Sequence, residues 1–214
     1  MKLFAAVIPP PEVLAELAGA VERLRALPDA GRLRWTRPEG WHVTVAFYGE
    51  VPAGSVAELG ERLARAAARR RGAVALGLAG GGRVSDTALW TEAAGDVEEL
   101  GRLAAGAEAA GRRTAGVEGG TGGGRGAGAG VGAGAGVGGR GERRYRPHLT
   151  LARQRHGGGA DLTPFTYALR DFATAQRPVP ALTLIRSHPP PPGEKGAQPD
   201  YETLAAWPLG RGET

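Results

Sequence analysis

The 214-residue chain contains no cysteine. That removes disulfides, thiolate nucleophiles and Cys-ligated zinc together. Lysine is nearly absent too: Lys2 and Lys195 are the only two among 27 basic residues, and the rest are arginine. The net charge of +5 suits an anionic partner such as a nucleic acid or a phosphorylated substrate, and it equally suits a plain solvated basic surface. No stretch approaches the roughly 20 apolar residues of a membrane span. In "MKLFAAVIPPPE" three prolines and an acid follow the short apolar run, where a signal peptide would stay apolar. A cytoplasmic protein without membrane contact is the expectation, with residues 1–214 forming one bilobal domain.

What is present reads as alternating elements. "LFAAVI" (3–8) is a short buried strand ended by Pro9 to Pro11. Leu14, Leu17, Val21, Leu24 and Leu27 then keep a three-to-four spacing, which predicts an amphipathic helix opened by proline. "RLRWT" and residues 41–48 alternate as strands. Ser55 with Glu58 forms a capping-box pattern for a helix over about 55–70. "AVALGLAG" and "ALWTEA" read as strands, and Asp96 with Glu99 marks a third helix. After residue 145 come a second histidine strand, a short helix with Thr163 as cap, and the strands "VPALTLIRS" and "YETLAAWPL". The pattern is α+β: bilobal, two antiparallel sheets facing across a central cleft, with helices on the outer faces.

Residues 116–141 break the pattern. Glycine fills more than half of "GVEGGTGGGRGAGAGVGAGAGVGGRG", and no apolar period survives, so the segment reads as a flexible Gly-rich loop. Gly134, Gly136 and Gly139 formally spell G-x-G-x-x-G, but a dinucleotide fingerprint needs a helix after it, and "ERRYRPHLTL" is a strand. No lysine follows these glycines as in a P-loop, and no G-x-S-x-G occurs.

Two of the four histidines sit in matching contexts, "WHVTVAFYGE" (41–50) and "RPHLTLARQR" (146–155). On a strand His42 and Thr44 share one face while Trp41, Val43 and Val45 share the other. His148 and Thr150 are arranged alike, opposite Leu149 and Leu151. Two imidazoles and two hydroxyls across a cleft suit in-line displacement at phosphorus. One group takes a proton from the nucleophile, the other gives one to the leaving oxygen, and histidine can do either near neutral pH. The hydroxyls of Thr44 and Thr150 can donate to the non-bridging oxygens. Neither histidine has a second His or a carboxylate at ligand spacing, so no metal or other cofactor is expected. His156 and His188 lack the pattern and read as solvated loop residues.

These paired H-x-T-x motifs resemble those of the two-histidine phosphoesterases, specifically the RNA 2′,3′-cyclic phosphodiesterases also called 2′-5′ RNA ligases. The likeness extends through "MKLFAAVIPP", "LRWTRPEGWHVT", "ALWTEA" and "LIRSHPPPPG…YETLAAWPL". It implies a bilobal fold, His42 as proton donor to the leaving oxygen, His148 as proton acceptor from water, and a 2′-phosphate product. It also implies substrate contacts from Phe47 and Arg153, which strict alternation would put on the wrong face unless a bulge turns them. The partners it implies are RNA ends bearing a 2′,3′-cyclic phosphate, or small cyclic phosphates, handled by a monomer. Tyr48 stands where the family more often has Leu, and the Gly-rich segment is longer than usual. Hydrolysis of a small cyclic nucleotide or ADP-ribose cyclic phosphate, and non-catalytic binding of RNA ends, remain open alternatives.

Overall fold

A computed structural model describes residues 1–70, 72–84, 86–117, 145–155, 159–191, 193 and 197–209. His156 and all but the first two residues of the Gly-rich segment lie outside them. The apolar runs and alternating stretches form nine strands among these residues: β1 (Lys2–Val7), β2 (Leu33–Trp35), β3 (Val43–Glu50), β4 (Val74–Val84), β5 (Ala88–Gly95), β6 (His148–Gln154), β7 (Arg177–Val179), β8 (Ala181–His188) and β9 (Asp200–Pro208). They make two antiparallel sheets, a four-stranded one ordered β3-β1-β8-β9 and a five-stranded one ordered β2-β6-β5-β4-β7. The α+β class with two antiparallel sheets is therefore as the pattern implied.

Helix α1 (Pro11–Arg25) starts on proline, whose fixed φ suits the first helical position, and buries Val13, Leu17, Val21 and Leu24. Helices α2 (Val56–Ala68) and α3 (Val97–Arg112) pack on each other and against the four-stranded sheet, whereas α1 and α4 (Thr163–Ala168) contact the five-stranded one. Both capping residues follow a different chemistry from the one their spacing suggests. The Ser55 hydroxyl donates to the Ala115 carbonyl, and the Asp96 carboxylate accepts from the Ala75 backbone N–H. Neither side chain caps its own helix. Thr163 is likewise inside α4, after Leu162 at the cap position, and its N–H donates to the Asp161 carboxylate.

One core cluster runs through both sheets, with Leu3, Val7, Val43, Leu63, Leu76 and Leu149 all fully buried in it. The sheets do not divide the sequence into halves. β1 pairs with β3 on one side and on the other with β8, which carries β9, both from the far end of the chain, while β2 leaves its sequence neighbours to join β6. This exchange brings each histidine motif to its place. β3 is an edge strand of the first sheet, and β6 lies beside it in the second.

Candidate functional site

His42 precedes β3 and His148 begins β6, and the two rings line one cleft together with Thr44 and Thr150. The cleft encloses about 600 Å³, part of it open to solvent. His42 is buried at 8% exposure, packed between Phe4 and Tyr201 with ring centroids 4.8 and 5.3 Å away. His148 is more open and lies 5.5 Å from the Trp90 ring. Its Nδ1 is 2.9 Å from the Arg146 carbonyl oxygen, two residues back. A carbonyl only accepts, so Nδ1 carries the hydrogen and the neutral ring keeps its lone pair on Nε2.

The backbone of Gly40, again two residues back, favours the charged form of His42. Burial nevertheless dominates and lowers its pKa to about 4, the Gly40 backbone opposes this, and the nearby His148 adds to the lowering. At that pKa His42 is neutral at pH 7.

Both motif strands carry a bulge at the last residue of the H-x-T-x unit. In the β1–β3 ladder Ala6 pairs with Thr44 and Ala5 with Ala46, so Val45 is the extra residue. In the β5–β6 ladder Trp90 pairs with Thr150 and Leu89 with Ala152, so Leu151 is the extra residue. Consecutive residues Val45 and Ala46, and Leu151 and Ala152, are all buried. The extra residue reverses the alternation beyond it. Phe47 therefore joins Phe4, Ala6, Ile185 and Tyr201 in a small apolar cluster on the cleft side of the sheet, and Arg153 lines the cleft itself. Phe47 stands near the cleft without lining it.

The structure brings in residues that the motif reading did not single out: Arg34 and Thr36 around β2, Gly40 before the first motif, and Gln198, Pro199 and Tyr201 at the start of β9. Strand alternation could have placed Arg34 and Thr36 on one face, but nothing local says that β2 pairs with β6. Trp90 was visible only as part of a strand. It lies opposite Gly82 in the ladder, where a Cβ would come within 2.2 Å of the indole, so glycine is what leaves room for the ring beside His148. His188 departs from its reading as a solvated loop residue. It ends β8, and its Nε2 lies 2.8 Å from the Glu202 carboxylate across the ladder. Among the described residues no group of three or more His, Asp or Glu is arranged to hold a metal ion.

The buried Tyr48 side chain has a local explanation. Its hydroxyl donates to the Ala107 carbonyl of α3 at 3.1 Å, and its ring lies over Gly111, where a Cβ would be 2.8 Å from it. Burial raises the Tyr48 pKa well above the usual tyrosine range, so the hydroxyl stays protonated and donates.

Residues 7–77 match the family model described as LigT like Phosphoesterase. That stretch contains His42 and Thr44, while His148 and Thr150 lie beyond it. No curated protein sequence matches the chain. Among solved structures, TT0787 of Thermus thermophilus is similar with a TM-score of 0.66 and 23% identity, covering 98% of both chains. E. coli LigT complexed with ATP is similar with a TM-score of 0.65 and 21% identity, and E. coli LigT complexed with 3′-AMP with 0.60 and 19%, each again over 98% of both chains. At such identities the structural likeness speaks for the fold, and the sequence match is confined to the stretch around the first histidine motif. Over residues 7–77 the chain is similar in sequence to the LigT-like phosphoesterases, and over 98% of its length it shares the fold of E. coli LigT.

Proposed function

We propose that the protein hydrolyses RNA 2′,3′-cyclic phosphate ends by paired-histidine acid–base catalysis, leaving a 2′-phosphate, with 2′-5′ ligation as the reverse reaction. The observation that carries this reading is the matched pair of imidazoles, each beside a threonine on the wall of one cleft. His148, with hydrogen on Nδ1 and a lone pair on Nε2, has the form a proton acceptor needs. Its Nε2 takes a proton from water as the water oxygen bonds to phosphorus. The bond from phosphorus to the ribose 3′ oxygen breaks on the opposite side, and His42 protonates that oxygen. The Thr44 and Thr150 hydroxyls donate to the non-bridging oxygens as their charge shifts, and Arg153, farther along the cleft, adds a positive charge that holds the substrate.

His42 must carry a proton to act as the acid, which its burial disfavours. An anionic phosphate beside the ring works in the opposite direction, since an opposite charge at that range favours the protonated form. Substrate binding itself thereby charges the acid. Solved structures of E. coli LigT with 3′-AMP and with ATP support a nucleotide-sized ligand in this fold.

The test is turnover of a panel of cyclic phosphates, including an oligonucleotide end and an ADP-ribose derivative, in excess chelator. The oligonucleotide end should be opened to the 2′-phosphate with chelator present. His42→Ala and His148→Ala should each reduce the rate by about 10²–10⁴-fold. A rate abolished by chelator and restored by a divalent ion would overturn the two-histidine scheme. Binding without turnover of any member would leave an RNA-end-binding module.

A further inference from the structure

The histidine–threonine centre accounts for one phosphate, yet the cleft holds more positive charge than one phosphate needs. Arg34 of β2 stands directly opposite Arg153 of β6 in the ladder, and both line the cleft. Like charges directly opposite on a ladder repel. Burial depresses the Arg153 pKa, Tyr201 opposes this, and Arg34 adds to the lowering. The arginines flanking Arg34 are neutralised: Arg32 pairs with Asp29 and Arg37 with Asp200. Among the described residues Arg34 and Arg153 make no salt bridge. Among the same residues Arg34 donates one hydrogen bond, at 3.3 Å to the Ala197 carbonyl.

A sheltered pair of guanidiniums with no carboxylate partner among the described residues is costly unless an anion completes it. The ladder shows where that anion would lie. Along β5, His148 pairs with Glu92, Thr150 with Trp90 and Arg153 with Ala88. Each interval is two residues of β5, or about 6.8 Å. The arginine pair thus sits one interval beyond Thr150 and two beyond His148, on the same face of the strand. A nucleotide whose cyclic phosphate occupied the histidine–threonine centre would carry its own 5′ phosphate about that far away.

We infer that Arg34 and Arg153 form a second phosphate subsite, which receives the 5′ phosphate of the terminal nucleotide while its 2′,3′-cyclic phosphate lies between the histidines. The inference rests on the reaction proposed above for its orientation. It makes the protein selective for nucleotides phosphorylated at both ends of the ribose. In RNA that 5′ phosphate is the diester linking the last two nucleotides, and in a free nucleotide it is a monoester.

The experiment compares kcat/KM for adenosine 2′,3′-cyclic phosphate, its 5′-phosphorylated form, and a dinucleotide ending in the same cyclic phosphate. The two substrates with a 5′ phosphate should exceed the first by about tenfold or more, the range of one or two hydrogen bonds to a charged group. In Arg34→Gln this preference ratio should collapse toward one. Arg34→Lys, which keeps the charge without the fork, should retain part of it. A gain for the dinucleotide alone would assign the preference to the second nucleoside and overturn the subsite. So would an Arg34→Gln loss equal for all three substrates, which would place Arg34 on the reacting phosphate.

Calorimetric binding of adenosine 2′-phosphate and adenosine 2′,5′-bisphosphate gives a second readout, independent of turnover. If no cyclic phosphate is opened, the proposed reaction fails while a bisphosphate preference lost in Arg34→Gln still supports the subsite. Equal affinities in the wild type would overturn it.

Discussion

His42 shows how one burial has two consequences. Its ring is sealed between Phe4 and Tyr201, and its folded-state pKa is about 4 against about 6.5 in an unfolded chain. Between those values the unfolded chain binds a proton that the folded chain does not, so stability rises with pH across that window and is lost as pH falls through it. The difference is about 2.5 units at about 1.36 kcal/mol each, which gives about 3 kcal/mol lost between pH 7 and pH 4 on account of this residue. Denaturant titrations at both pH values should show that loss in the wild type, beyond what the carboxylates contribute. His42→Asn should reduce the pH-dependent loss by about that amount. An unchanged difference in the variant would mean that the ring is not desolvated as its packing requires.

At the scale of elements, the α3–β3 contact is tuned by one exchange of volume. Tyr48 is larger than the leucine more usual in the resembling family, and Gly111 on α3 leaves room for its ring. Gly111→Ala should therefore destabilise the protein by about 1–2 kcal/mol net, because overpacking outweighs the helical gain of alanine. With Tyr48→Leu in place the same substitution should become neutral or stabilise by up to about 1 kcal/mol. Urea denaturation of the four proteins in a double-mutant cycle measures this coupling, and additive effects would contradict the packing described.

Strands, helices and the two motifs were readable here because alternation and a three-to-four spacing are local properties. The bulges were not readable. Val45 and Leu151 look like ordinary core-facing residues, and only the partner strands reveal that each is extra. The caps misled for a related reason, since Ser55 and Asp96 found tertiary partners that compete with their own helices.

For the molecule as a whole, the decisive feature is that chain order does not follow the sheets. Two histidine motifs suggested two lobes, but no local pattern shows that β1 pairs with the C-terminal strand β8 or that β2 crosses to β6. Arg34 and Tyr201 were hidden for the same reason, since each reaches the cleft only through such a pairing. The cleft is consequently held by bonds between elements distant in sequence. On one side the Gln198 amide donates to the Trp35 carbonyl, and Arg37 pairs with Asp200.

Beside the motifs, the Tyr145 hydroxyl donates to the Thr44 carbonyl at 2.8 Å, joining the approach to the second motif to the backbone of the first. That carbonyl belongs to an edge strand. Burial raises the Tyr145 pKa well above the usual tyrosine range, so the donor stays protonated at any working pH. Tyr145→Phe keeps the ring and removes only the hydroxyl, leaving a part-buried acceptor without its partner at a cost of about 1–3 kcal/mol. For a chain of this length that is a fall in Tm of roughly 2–4 °C per kcal/mol. If the bond also sets the spacing of the two histidines, kcat for a cyclic phosphate should fall with little change in KM, measured well below the lowered Tm. A lowered Tm with unchanged kcat would make Tyr145 a structural tie alone, with the histidine spacing set by the Gln198 and Arg37 bonds and by the common core.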